Sequence, residues 1–126
     1  MPDIFLYVSS RRLGDLKAMM PKLGRALRVA TADSLPGIAP WEVEVRAVEV
    51  FTDDNATAVQ ILCIADASEE RLAAMNLWAL NLAKAWREVA SDFGFNWIND
   101  VGVWPIMPKG KWLLATEDAI REMEES

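Results

Sequence analysis

The strongest constraint on the fold comes from the first residues of the chain, which predict a strand that is buried on both faces. Residues Pro2–Val8 are rich in β-branched and aromatic side chains. Apolar residues occupy both alternating sets of positions: Ile4, Leu6 and Val8 in one set, Phe5 and Tyr7 in the other. Since alternate residues of a strand point to opposite faces of a sheet, we expect both faces of this strand to be covered. One end of the chain must then lie in or beside the core, although chain termini usually fray.

The next two segments predict a helix and a second strand. Apolar residues recur every three or four positions over Arg11–Thr31, which indicates a helix that packs on one face. Pro21 lies inside this segment, and we expect it to kink or split the helix near Met20. Trp41–Phe51 alternates apolar and charged side chains and predicts a half-buried strand.

The rest of the chain predicts a third strand, a second helix and a fourth strand. Thr57–Ala65 follows a polar turn and reads as a strand. Ser68 is a typical N-cap, and Gly94 is a plausible end for the helix between them. Phe95–Trp104 predicts the last strand. The resulting β-α-β-β-α-β order predicts an α+β fold with two layers, with the helices on one face of a sheet.

We expect residues 1–126 to form a single domain, with residues 105–126 as a C-terminal extension. Thr116 is a candidate cap for a short, Glu-rich helix within that extension. In a two-layer monomer the face of the sheet away from the helices would be exposed to water, although the first and third predicted strands carry apolar residues on that face. We therefore expect the sheets of several copies to pack together.

Composition excludes several classes of function. Thirteen basic and nineteen acidic residues give a net charge of -6, which argues against nucleic-acid binding as the main task. The chain has no His and a single Cys, Cys63, which lies in an apolar run and is expected to be buried and reduced. We accordingly expect no metal and no cofactor. No segment is long enough for a membrane span and no signal peptide is evident, so we expect a cytoplasmic protein.

Three residues suggest chemistry that needs no His: Pro2, Arg12 and Arg46. Removal of Met1 would leave Pro2 as a secondary amine at the end of a buried strand. An apolar setting disfavours the protonated form of an amine, so such a group could act as a general base near neutral pH. Arg12 follows the first strand and Arg46 lies within the second. Since guanidinium groups bind carboxylates, the combination suits a small anionic substrate.

These stretches resemble the tautomerase superfamily. Residues 1–12 are similar to that family's Met-Pro start, first strand and following Arg, in step at Arg12, and residues 40–46 resemble its second strand, in step at Arg46. The resemblance in element order covers residues 1 to about 104. It implies a homotrimer and an isomerase that uses Pro2 for proton transfer, in keto-enol isomerisation or a related hydration or decarboxylation. Arg12 and Arg46 would then bind the substrate carboxylate.

Alternatives remain open from the sequence alone. The same element order suits a ferredoxin-like module for small-molecule binding or oligomerisation, without catalysis. Pro2 would then be an ordinary second residue, Arg12 a surface residue at the start of a helix, and Arg46 a partner of Glu42 or Glu44. Tryptophans are expected to pack in the core, above all Trp78 and Trp86, although four others could line a pocket: Trp41, Trp97, Trp104 and Trp112.

Overall fold

A computed structural model of the chain describes residues 2–51, 59–95, 101–108 and 117–125. Its elements, in chain order, are β1 (Asp3–Ser9), α1 (Leu13–Ser34), β2 (Glu44–Val50), β3 (Val59–Ile64), α2 (Glu69–Ala73), α3 (Met75–Asp92), β4 (Val101–Ile106) and α4 (Glu117–Glu125). Short 3-10 turns at Ser10–Arg12 and Pro40–Glu42 precede α1 and β2. The predicted α+β class and element order are confirmed. The expected extension over residues 105–126 and its Thr116 cap remain predictions, since residues 109–116 lie outside the described ranges.

Strand pairing distinguishes the two folds that the sequence left open. The sheet has the order β2-β1-β3-β4. β1 pairs with β2 in parallel and β3 pairs with β4 in parallel, while the central pair, β1 and β3, is antiparallel. Each β-α-β unit therefore keeps its two strands side by side. A ferredoxin-like sheet separates the two strands of each unit with another strand, so that alternative is wrong.

The core lies between the sheet and the two long helices. Three residues of β1, Ile4, Leu6 and Val8, are fully buried on the face that α1 and α3 cover. Trp78 and Trp86 of α3 are fully buried as well, which confirms that they are core residues. Since α1 and α3 cover a single face, this is a two-layer arrangement.

The opposite face, which we call the outer face of the sheet, carries the other alternating set of residues. The register places on it Phe5, Tyr7, Arg46, Leu62, Ile64, Trp104 and Ile106, together with the polar residues Asp3, Glu44 and Gln60. Trp104 and Ile106 are 59% and 42% exposed, and the rings of Phe5 and Tyr7 stack with centroids 6.3 Å apart. A protomer thus presents a largely apolar sheet surface, as the two-sided strand predicted.

The helices differ from expectation at two places. The prediction that Pro21 splits the first helix is wrong, because α1 is one helix of 22 residues with Pro21 inside it. Pro21 is exposed, so the backbone carbonyl that it leaves without an N–H donor can reach water. Conversely, the second predicted helix is interrupted at Ala74 into α2 and α3. Ser68 caps α2 as predicted, and its hydroxyl accepts a bond from the N–H of Arg71 at 3.1 Å.

Strand ends also differ from expectation. β4 continues through Pro105 to Ile106, which an edge strand tolerates because a missing N–H need not break the ladder. The predicted turn at Thr52–Ala56 lies outside the described residues. Gly94 has a φ of 71°, a left-handed conformation suited to the end of a helix, and it follows α3 as predicted.

Within the described ranges, none of the helices combines the length and the apolar character needed to cross a bilayer.

Candidate functional site

Pro2 is buried at the amino end of β1. Its carbonyl oxygen accepts a hydrogen bond from the N–H of Glu44 at 3.1 Å, which fixes it against the first residue of β2. The carboxyl ends of β3 and β4 reach the same end of the sheet, where the N–H of Ala65 bonds the carbonyl of Ile106 at 3.1 Å. The amino ends of β1 and β2 and the carboxyl ends of β3 and β4 therefore all lie at the end of the sheet that holds the candidate base.

The setting of Pro2 is apolar on the helix side. Since Asp3 pairs with Glu44, the register places Pro2 beside Val43, which is 3% exposed. Burial of this kind disfavours the charged form of an amine. The predicted removal of Met1 concerns a residue that lies outside the described ones.

Arg46 lies on the outer face with three close neighbours. Its guanidinium forms an ion pair with Glu44, has a second carboxylate at 3.6 Å on Asp3, and lies 5.6 Å from the ring centroid of Phe5. The pairing with Glu44 that the sequence left as an alternative is therefore present, whereas Glu42 accepts a bond from the N–H of Ala39. Arg46 is half exposed, at 53%, so it can still reach solvent and a ligand. Two carboxylates share one guanidinium, so an anionic ligand at Arg46 competes with them.

Arg12 lies at the far end of β1, in the turn that follows the strand. The seven residues of β1 span about 23 Å, so one protomer does not bring Arg12 and Pro2 together. Arg46 is nearer, since its strand partner Phe5 is three residues from Pro2, or about 10 Å along the strand. Of the three residues predicted from the sequence, only Pro2 and Arg46 share one end of a protomer.

Two tryptophans are exposed, so the expectation that they pack in the core is wrong within one protomer. Trp41 is 83% exposed on the turn that leads into β2, and it thus lies near the end of the sheet that holds Pro2. Trp104 lies on the outer face, where its indole N–H donates to the side chain of Gln60 at 2.8 Å. Trp97 and Trp112 lie outside the described residues.

Two polar neighbours of the site were not found from the sequence. Asp3 contacts Arg46 across the sheet, and Gln60 orients Trp104. Asp3 stands next to Pro2 in the chain, which was the available signal. Neither pairing could be read without the register between β1, β2, β3 and β4.

Cys63 is fully buried on the helix side of β3, as predicted. Burial raises the pKa of its thiol to about 12. The thiol therefore stays protonated near neutral pH and is a poor nucleophile and a poor metal ligand. Among the described residues, no group of three or more Cys, Asp or Glu side chains lies close enough to hold a metal ion.

Comparison with solved structures identifies the fold. Over 94% of this chain and 98% of the other, the fold matches a fused 4-OT asymmetric trimer with a TM-score of 0.60 at 19% identity. Malonate semialdehyde decarboxylase, solved in wild-type, inactivated and N-terminal proline-to-alanine forms, matches over 98% of each chain with a TM-score of 0.52 at 16% identity. MIF2 of Leishmania major matches over 89% of this chain and 93% of its own, with a TM-score of 0.51 at 14% identity.

These proteins are members of the tautomerase superfamily, so the resemblance noted in the sequence is confirmed at the level of the fold. At these identities the likeness describes the fold alone. No family model matches the sequence, and no curated protein matches it significantly.

Proposed function

We propose that this protein is an enzyme of the tautomerase type that uses Pro2, freed by removal of Met1, to transfer a proton on a small carboxylate substrate. The observation that carries the proposal is the position of Pro2: buried, at the amino end of β1, one of the two central strands of a tautomerase-type sheet. The fold by itself would not decide the function, since folds host many activities. The additional support is a potential amine at this position with an arginine on the neighbouring strand.

Pro2 is the general base in this proposal. Its neutral nitrogen accepts a proton from the enol oxygen of the substrate and returns it to the neighbouring carbon, so the enol becomes a ketone with no net change in protons. A buried amine is suited to this role because loss of hydration favours the neutral form. Met1 must be removed, since an amide nitrogen at Pro2 cannot act as a base.

Arg46 binds the substrate carboxylate in this mechanism. Its exposed guanidinium exchanges the Glu44 or Asp3 carboxylate for that of the substrate and stabilises the negative charge that develops on the enolate. The attraction between the guanidinium and the Phe5 ring, whose centroid lies 5.6 Å away, helps to keep the guanidinium over the sheet during the exchange.

Arg12 enters the site only from a neighbouring copy. Because β1 separates Arg12 from Pro2 by about 23 Å within a protomer, the two meet only if the end of one chain's β1 lies beside the start of another's. The apolar outer face supplies a surface for such packing, and we propose a homotrimer built on it. A solved relative in fold is described as a trimer of fused 4-OT.

Keto-enol isomerisation is the reaction that needs fewest groups, and hydration or decarboxylation of a related acid is the second candidate. The second is favoured by one observation: malonate semialdehyde decarboxylase, which has decarboxylase and hydratase activities, has the same fold. All three reactions use the same proline and a carboxylate-binding arginine, so substrate assays separate them.

The test combines intact mass with kinetics. We expect the protein purified from cells to lack Met1, and Pro2→Ala to lower kcat/KM for ketonisation of an enol form of an α-keto acid by about a hundredfold or more. Pro36→Ala, at an exposed turn position, is the matched control and should keep full activity. A chain that retains Met1, or a Pro2→Ala variant as active as the wild type on every acid assayed, would refute the proposal.

A further inference from the structure

Arg28 of α1 links the helix layer to the end of the sheet that holds Pro2. Its Nε–H donates to the carbonyl oxygen of Val43 at 3.1 Å. Val43 comes directly before β2, is 3% exposed, and lies beside Pro2 in the register between β1 and β2. A side chain of α1 therefore binds the residue that lies next to the candidate base on the neighbouring strand.

The carbonyl of Val43 points to the edge of the sheet. The N–H of Glu44 points toward β1, where it bonds the carbonyl of Pro2, and successive residues of a strand direct their backbone groups to opposite sides. The backbone groups of Val43 thus point away from β1, and β2 is an edge strand among those that the structure describes. The N–H of Val43 bonds the carbonyl of Pro40 at 3.2 Å. Its C=O has no strand beside it to bond, and Arg28 supplies the donor.

Gly24, one helical turn before Arg28, makes room for this side chain. It is buried inside α1, where glycine is normally unfavourable because of its backbone freedom. A Cβ at this position would come within 3.2 Å of Nη1 of Arg28, which is tighter than ordinary van der Waals contact. A Cβ on Gly14 of the same helix would have nothing but the adjoining helix within 4 Å. The missing side chain at Gly24 therefore lets the guanidinium of Arg28 lie against α1.

The bond to Val43 is the interaction that fixes Arg28. Its side chain is partly buried, and among the described residues no carboxylate forms an ion pair with it. A hydrogen bond from a guanidinium is stronger than one between neutral groups. This bond holds the start of β2 against α1, whereas the bond between Glu44 and Pro2 holds β1 in register with β2.

We propose, on the basis of the proposed function of Pro2, that Arg28 is a positioning residue for this base and that Gly24 accommodates it. Arg28 fixes Val43 against α1, Val43 is joined covalently to Glu44, and the N–H of Glu44 holds the carbonyl of Pro2 at 3.1 Å. Loss of the first bond therefore loosens the strand end that holds Pro2. A displacement of about 1 Å can lower a catalytic rate by about a hundredfold.

Two variants with side chains of equal length separate the hydrogen bond from the charge. Arg28→Met removes both, whereas Arg28→Gln retains an N–H at the same number of bonds from the backbone as Nε. We expect hydrogen exchange of the Glu44 amide to accelerate at least about tenfold in Arg28→Met and to stay within about threefold of wild type in Arg28→Gln. Equal exchange at Glu44 in wild type and Arg28→Met would overturn the proposal whether or not Pro2 is catalytic.

The amide of Ala65 is the control for this measurement. It bonds the carbonyl of Ile106 at the same end of the sheet, on the strands that Arg28 does not contact, and its exchange should be unchanged in both variants. An equal acceleration at Ala65 and Glu44 would show a general loss of stability and would also overturn the proposal.

Kinetics test the effect on Pro2. Because Arg46 lies on the outer face and keeps its contacts, Arg28→Met should lower kcat at least about tenfold with KM within about twofold of wild type. Arg28→Gln should recover most of the lost kcat. An unchanged kcat for Arg28→Met, in a protein that Pro2→Ala inactivates, would refute the positioning role and leave the function of Pro2 standing.

Gly24→Ala tests the fit from the other side. Although alanine favours a helix, its Cβ displaces Nη1 of Arg28, so we expect faster exchange at Glu44 and a lower kcat, each by at least about threefold. In the Arg28→Gln background, which has no Nη1, the same change should have little effect. Gly14→Ala is the matched control and should leave exchange and kcat unchanged. Equal behaviour of the two alanine variants would contradict the role of Gly24.

Discussion

The carbonyl oxygen of Pro2 accepts a hydrogen bond from the backbone N–H of Glu44 at 3.1 Å. This bond ties the candidate base to the first residue of β2, the strand that carries Arg46 two positions later. The main chain alone thus holds Pro2 in register with Arg46. Substitution of the Arg46 side chain should consequently leave the position of Pro2 unchanged.

Arg46→Gln should weaken substrate binding with little effect on stability. Loss of a charge-assisted bond to the substrate carboxylate is expected to raise KM by about ten- to a hundredfold. Because Arg46 is half exposed, its ion pairs contribute less than about 1 kcal/mol to the free energy of unfolding. Steady-state kinetics and urea unfolding measure the two effects. Arg87→Gln on α3 is the control, and an unchanged KM for Arg46→Gln would show that Arg46 serves only its partners in the sheet.

Leu62→Asp should dissociate the proposed trimer. Leu62 lies on the outer face between Phe5 and Trp104 in the register, so a carboxylate there would be buried without a partner on association. Light scattering should give three times the 14.1 kDa chain mass for the wild type and a single chain mass for the variant. Leu77→Asp, at an exposed position of α3, should remain trimeric. A wild type that is monomeric at micromolar concentration would contradict the proposal that Arg12 of one copy lies beside Pro2 of another.

Thr31→Val should destabilise the packing of α1 against α3. The indole N–H of the fully buried Trp78 donates to the hydroxyl of Thr31 at 2.9 Å, and Thr31 is itself fully buried. Valine removes the acceptor and leaves the indole N–H unpaired, at a cost of about 1–3 kcal/mol in the free energy of unfolding. Thr31→Ser retains the acceptor and should cost about 1 kcal/mol or less. Equal losses for the two variants in urea unfolding would mean that the bond does not contribute.

Cys63 should make stability fall in alkaline solution. Burial raises the pKa of its thiol from 9.0 to about 12, so the folded state retains a proton that the unfolded chain loses. The stabilising effect is complete below pH 9 and is lost as pH rises from about 9 to about 12. The free energy of unfolding of wild type minus that of Cys63→Ala, measured from pH 8 to pH 10.5, should therefore decrease. A pH-independent difference would contradict the buried, protonated thiol.

Local patterns in the sequence were sufficient for most elements. A run of β-branched and aromatic residues predicted β1, and alternation predicted β2. The cap at Ser68 and the end at Gly94 marked the second helical segment. The predicted split at Pro21 was wrong, because the local preference of proline takes no account of the packing that stabilises α1 as one helix. Burial of Leu16, Met19 and Leu23 on both sides of Pro21 offsets the lost hydrogen bond.

The candidate site was predicted in part. Pro2 was recognised because a Met-Pro start leads straight into a strand, and Arg46 because it is a cation on the charged set of an alternating strand. Asp3 and Gln60 were not found, since each gains its role from a residue on another strand. The distance between Arg12 and Pro2 likewise became evident only with the course of β1.

Apolar periodicity in the sequence determined the element order and the apolar character of both faces of β1, because the positions of side chains follow the repeat of each element. Tertiary structure alone decided that β1 lies beside both β2 and β3, and hence that the fold is tautomerase-like and not ferredoxin-like. Both arrangements bury the same alternating residues against two helices. The choice between them depends on which strand edges form hydrogen bonds. Because backbone N–H and C=O groups are nearly the same at every residue, the residue types alone do not indicate which edges pair.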